Sequence, residues 1–113
     1  MATAIFVHDG KSIDYTPGAD VSAGAVVVQN DLVGIAKLDI ASGILGALAV
    51  TGVFDVPKTA GVGEAIATGA KVYWDVADSV AKEDAEAGAN KYIGKTVAAA
   101  GDDDTTVRVR LEQ

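Results

Sequence analysis

Cysteine is missing from all 113 residues, which removes both a disulfide framework and thiolate metal sites from consideration. Nothing in the chain therefore calls for an oxidising compartment, and synthesis in a cytoplasm is the expectation. Histidine is nearly as scarce. The single copy, His8, lies in a His8-Asp9-Gly10-Lys11 stretch that reads as a turn, so no paired-histidine metal motif can be built. No Gly-x-Ser-x-Gly nucleophile elbow occurs either. The opening residues Met1–Ser12 have neither the basic flank nor the apolar stretch of a secretion signal. No run anywhere approaches the roughly 18 uninterrupted apolar residues of a membrane helix. Positive charge is also short: 9 Lys and Arg stand against 16 Asp and Glu, for a net charge of −7 and a pI near 4.4. Such a surface repels phosphate backbones, so no nucleic acid is expected as a partner; the missing apolar run argues against a membrane, and the missing reactive motifs against a small-molecule substrate.

What is present is small and apolar. Half of the residues are hydrophobic while only 5% are aromatic, so Ala and Val supply most of the apolar content. Each buries little area at about 25 cal/mol per Å², which favours a thin core that gains from self-association or from a partner. The length suits one ordinary domain, and residues 1–113 are expected to form a single β domain.

Thirteen glycines break the chain into short runs with β-branched residues and partial alternation, the pattern of short strands joined by tight turns. Strands are expected at Thr3–His8, Ser12–Thr16, Ala25–Gln29, Leu32–Leu38, Leu45–Val50, Gly52–Pro57, Lys71–Val76, Val80–Lys82, Tyr92–Ala99 and Thr105–Leu111. The last alternates strictly, with Val107, Val109 and Leu111 on one face and Arg108 and Arg110 on the other. Lys71–Val76 places Val72, Trp74 and Val76 together and turns at Ala77-Asp78-Ser79 into Val80–Lys82, a hairpin. Helix is expected at most in two short windows, Gly63–Thr68 and Glu83–Gly88. The fold class is therefore all-β, a small sandwich or barrel-like domain with glycine-rich turns. A weak echo supports it: Asp20-Val21-Ser22-Ala23-Gly24, Asp39-Ile40-Ala41-Ser42-Gly43 and Ala65-Ile66-Ala67-Thr68-Gly69 each carry a branched residue three positions before a glycine. The uneven spacing describes a recurring turn in which the glycine takes a positive φ, and excludes a solenoid.

Sites for chemistry are thin. Ala89-Asn90-Lys91-Tyr92-Ile93-Gly94-Lys95-Thr96 matches the phosphate-loop pattern except at its first glycine, and Gly88 stands one residue too early. A phosphate loop follows a buried strand and opens a helix. Here acidic residues precede the match, and Gly101 with three aspartates follows it, so a strand through Tyr92, Gly94 and Thr96 is expected. Gly10-Lys11-Ser12 is a weaker version still. Asp14, Asp39, Asp55 and Asp75 lie in or beside strands, and nothing in the sequence brings two together as acid and base. Asp102-Asp103-Asp104 lacks the spaced ligands of a calcium loop, and with Lys82–Asn90 it reads as solvated charge. No catalytic, cofactor-binding or metal residue is therefore expected. Exposed contact to another protein is the alternative use of a surface. Tyr73, on the strand face opposite Trp74, together with Arg108, Arg110 and Phe6, are the candidate contact residues.

In chain order, Ile13-Asp14-Tyr15-Thr16-Pro17, Ala19-Asp20-Val21, Val33-Gly34-Ile35-Ala36, Asp39-Ile40-Ala41, Gly46-Ala47-Leu48-Ala49-Val50, Gly52-Val53-Phe54-Asp55-Val56-Pro57-Lys58, Gly69-Ala70-Lys71-Val72-Tyr73-Trp74-Asp75, Ile93-Gly94 and Val107-Arg108-Val109-Arg110-Leu111 make a pattern that resembles the capsid cement, or head decoration, proteins of tailed bacteriophages. The resemblance covers nearly the whole chain. It implies a β-tulip-like domain outside an icosahedral capsid in the virion, made in the bacterial host cytoplasm. It also implies the major capsid protein as partner, a homotrimer bridging capsid subunits, and no enzyme and no cofactor. Met1–Phe6 then reads either as a first strand or as an arm. Two other readings stand beside it: another phage head or tail assembly component, and a nucleotide-binding or hydrolytic enzyme.

Overall fold

A computed structural model describes residues 3–113. Its strands are β1 (Ser12–Tyr15), β2 (Val26–Gln29), β3 (Leu32–Ala36), β4 (Gly46–Ala49), β5 (Gly52–Pro57), β6 (Lys71–Asp75), β7 (Val80–Lys82), β8 (Lys91–Thr96) and β9 (Thr106–Leu111). They form two antiparallel sheets, one ordered β1-β4-β3-β2 and the other β5-β9-β8-β6-β7. The all-β class is as the sequence predicts, and each observed strand overlaps an expected one.

One expected strand does not form, and the two windows allowed for short helix stay within their expected limit. Thr3–His8 forms no strand; Ile5, Phe6 and Val7 are 86%, 80% and 82% exposed. Alternation and β-branching supply propensity, but a strand also needs a neighbour to complete its ladder, and this segment has none. Met1 and Ala2, which open the expected arm, lie outside the described residues. Gly63–Thr68 forms no helix, because Ile66 instead exchanges backbone hydrogen bonds with Ala100 at 2.9 and 2.8 Å. Glu83–Gly88 yields only a single 3-10 turn at Glu86–Gly88, interrupted where Ala87 adopts a left-handed φ of 56°. The hairpin from β6 to β7 forms as expected, but Val76 falls in the turn and is 54% exposed rather than sharing the buried face of Val72 and Trp74.

The echo in the sequence marks more than a recurring turn, since it pairs the two sheets as structural repeats. Gly24 donates to the Ala36 carbonyl at 2.6 Å while Ala36 donates back to Ala25 at 3.0 Å; Gly69 and Thr96 repeat this at 2.9 Å, and Thr96 with Ala70 at 3.0 Å. Val21 bridges Ile40 as Ile66 bridges Ala100. β1, β2, β3 and β4 thus correspond to β5, β6, β8 and β9. The turn glycines take φ values of 89°, 77° and 81° at Gly24, Gly43 and Gly69, a region where a Cβ would be strained. Ala100 fills the fourth turn without a branched side chain, which is why the sequence echo shows only three copies.

The five-stranded sheet curls until β7 meets the end of β5 through a parallel bridge between Lys58 and Ala81, giving the barrel-like body. Its interior holds Val56, Val72, Trp74, Ile93, Val107, Val109 and Leu111, and Val33 and Ile35 from β3 pack into the same cluster. Lys58 is 4% exposed at the closure. Its ammonium donates to the carbonyls of Thr59, Gly101 and Asp104 at 2.7, 3.1 and 2.9 Å. A smaller cluster of Ala36, Ile40 and Leu48 lies on the other side of the four-stranded sheet. The Gln113 side-chain amide ties the two sheets, accepting from the Val33 N–H at 2.6 Å and donating to its carbonyl at 2.5 Å.

Candidate protein-contact face

The outward face of the five-stranded sheet collects most of the predicted contact residues. Along β9 the alternation does what the sequence requires: Val107, Val109 and Leu111 are buried while Arg108 and Arg110 are exposed. On β6, Val72 and Trp74 point inward, and Tyr73 is left half-buried on the outside. β8 lies between these two strands, and its register decides what meets. Lys71 sits opposite Lys95 and Lys95 opposite Arg110, so three cations line up directly across three strands. Tyr73 sits opposite Tyr92, with ring centroids 5.6 Å apart in an edge-to-face arrangement of 62°. Lys71, Tyr73, Tyr92, Lys95 and Glu112 border one shallow depression of about 350 Å³.

Like charges placed directly across a sheet repel. The relief here is partial: Glu112 lies 3.8 Å from the Lys95 ammonium and 4.0 Å from the Arg110 guanidinium. Burial pushes the Tyr92 hydroxyl above its ordinary pKa, and the neighbouring Glu112 carboxylate adds to the shift. Arg108 is already engaged. It grips Asp55, its cross-strand partner, through two hydrogen bonds of 2.9 and 3.2 Å. Those bonds hold the Asp55 carboxyl below the usual carboxylate range and raise Arg108. Arg110 and Tyr73 are therefore the members of the predicted set that have contact capacity to spare, whereas Phe6 lies on the exposed N-terminal segment, outside the sheet.

The sequence passed over Tyr92, Lys95 and Glu112. The first two lie in the segment already expected to be a strand, but their cross-strand neighbours could not be read from spacing. In the fold, Gly94-Lys95-Thr96 is strand, and a Cβ at Gly94 would overlap the Arg110 carbonyl, so this glycine serves close approach of β8 to β9. The Thr96 hydroxyl is buried and donates to the Ala67 carbonyl at 2.6 Å. Only Lys95 projects outward, and the backbone N–H groups around it belong to ladders.

The carboxylates considered for catalysis are separately employed. Asp75 binds Lys82 at 2.7 Å, which together with the Asp78 N–H lowers its pKa; Asp39 caps the Ala23 N–H at 2.7 Å; Asp14 is exposed on the edge strand β1. Asp102 and Asp104 accept from the Ala65 and Gly101 N–H groups at 2.9 and 2.8 Å, which is turn-capping geometry. Among the described residues no three His, Cys, Asp or Glu side chains converge as a metal site, and no helix is long and apolar enough to cross a membrane.

Neither the curated proteins nor the solved structures contain a match to this chain. A family model does match: described as phage cement protein, it aligns with residues 7–111 and so spans both sheets and the face just described. The ordered strand and turn pattern read from the sequence and this match agree, and the chain belongs to the phage cement protein family.

Proposed function

We propose that this chain, as a single cement domain over residues 1–113, binds the outer surface of an icosahedral phage capsid and bridges major capsid subunits after expansion, working as a homotrimer. Membership of the family carries a structural role on the phage capsid in the virion. The finer reading is supported by one observation above all: the outer face of β6, β8 and β9 carries a cationic row, offset only in part by Glu112, beside a tyrosine pair. Tyr and Arg are the side chains that dominate protein–protein hot spots. Function then proceeds by linkage, without catalysis or cofactor: a protein that engages only the assembled lattice stabilises it by mass action, and linked copies add avidity. Tyr73 and Arg110 are the proposed protein-contact residues, facing a neighbouring copy, and Phe6 on the exposed N-terminal segment is the proposed point of contact with the capsid.

Co-sedimentation with expanded and unexpanded capsid shells tests this. Selective binding to expanded shells, with protection against heat or chelator-induced rupture, is the expected result. Equal retention by both shells, or by neither, overturns it.

A further inference from the structure

The outer face of the five-stranded sheet carries five of the nine basic residues, Lys71, Lys82, Lys95, Arg108 and Arg110, against Asp55, Asp75 and Glu112 as its acids, whereas the whole chain carries −7. The face is thus a positive patch on a strongly negative molecule. The complement is on the same chain. A cleft of about 470 Å³ beyond β7 is bordered by Glu64, Asp78, Glu83, Asp84 and Glu86. Two lysines also line it, and both are committed: Lys58 to three backbone carbonyls and Lys82 to Asp75 and Asp78. Glu64, Glu83, Asp84 and Glu86 have no cation within salt-bridge distance among the described residues.

We propose that copies of this chain associate head to tail, the Lys71–Lys95–Arg110 row and the Tyr73–Tyr92 pair of one copy docking against the carboxylate-bordered cleft of the next. Three observations carry it. The cations stand in register across three strands, an arrangement that is unfavourable in the isolated chain and favourable once carboxylates are placed over it. Glu112, lodged beside Lys95 and Arg110, shows that the depression accepts a carboxylate. The tyrosine pair beside the charges supplies the apolar anchor that a charge-only contact lacks. Because the two surfaces differ, the contact is heterologous, and a suitable rotation closes it into a ring. This deepens the homotrimer proposed above and rests on that reading, naming the surfaces through which the copies meet.

Light scattering and sedimentation velocity of the purified full chain test it. At low salt the wild type is expected at a multiple of 11.4 kDa, shifting towards that mass near 1 M salt, where the screening length is about 3 Å. Lys95→Glu with Arg110→Glu, and separately Glu83→Lys with Glu86→Lys, are each expected to weaken association by about tenfold or more. All four side chains are exposed, so melting of the variants stays near wild type and reports an intact fold. A chain carrying both reversals is expected to associate again, which a general loss of folding could not produce. Wild-type oligomers indifferent to either reversal overturn the surfaces and leave the trimer standing, whereas a wild-type monomer at every concentration overturns both. Capsid co-sedimentation run in parallel separates the readings: self-association with no shell binding refutes the capsid reading alone.

Discussion

Replacing Lys58 by methionine sets two large effects against each other. The side chain is 4% exposed, and no carboxylate lies within salt-bridge distance of its ammonium among the described residues. The charge is held instead by the carbonyl dipoles of Thr59, Gly101 and Asp104. Burying an ammonium costs several kcal/mol, so Lys58→Met recovers that cost while keeping the length of the stem. Against this, three carbonyls lose their donor at once, each worth about 1 kcal/mol net and more if no water replaces it. The residue also sits where the barrel closes, beside the Lys58–Ala81 bridge, and its ammonium joins the end of β5 to the loop that precedes β9. The Lys58 N–H also donates to the Thr105 carbonyl at 2.9 Å and the Gly61 N–H to the Asp102 carbonyl at 2.6 Å, so the loop stays in place and its carbonyls are left facing an apolar side chain; the lost bonds prevail. The expected destabilisation is about 2–4 kcal/mol, read as a lower urea midpoint at unchanged slope and a melting temperature lower by roughly 10 °C. Lys58→Arg, with donors of different geometry, is expected to fall between. A methionine variant as stable as wild type, or more so, would refute the reasoning and mark the buried charge as a net cost.

Three further outcomes follow from particular contacts. Gly94→Ala is expected to cost more than about 3 kcal/mol, because its Cβ meets the Arg110 carbonyl at a φ of 154°; circular dichroism and soluble yield read the loss, and a normally folded variant contradicts the close approach. Gln113→Ala removes both hydrogen bonds to Val33 and is expected to cost about 1–2 kcal/mol in urea unfolding, whereas a change near zero would mean that the amide clamp does not form in solution. Asp75, held below the ordinary carboxylate value of 3.8 chiefly by Lys82, contributes stability that is complete above that value and is lost as pH falls through its lower folded value. Melting temperature is therefore expected to drop below about pH 4, with a shallower drop in Asp75→Asn, and identical profiles for the two proteins would remove Asp75 as the cause.

Much of the local architecture was legible because it depends on neighbours in sequence. Strict alternation from Thr106 to Leu111 specifies both a strand and the side on which Arg108 and Arg110 lie. The glycines at positions 24, 43 and 69 announced turns because only a residue without a Cβ takes their φ at no cost. One segment was misread for the same reason. Thr3–His8 has strand propensity but no partner, and a ladder is a property of pairs. The strand through Tyr92, Gly94 and Thr96 was legible despite the phosphate-loop pattern, but the reason for Gly94 was not, because the close approach that forbids a side chain comes from β9, a neighbour that arrives later in the chain.

By itself, then, the order of residues determined the all-β class, the recurring glycine turns and the inward and outward parity of β9, since these follow from steric preferences and from the two-residue period of an extended chain. Only the tertiary structure decided which strands stand side by side. The insertion of β8 between β6 and β9 brings Lys71, Lys95 and Arg110 into one row and Tyr92 onto Tyr73. Register is set by how the buried halves of the strands pack together, and residues that share a face across a sheet carry no mark of it in their spacing along the chain.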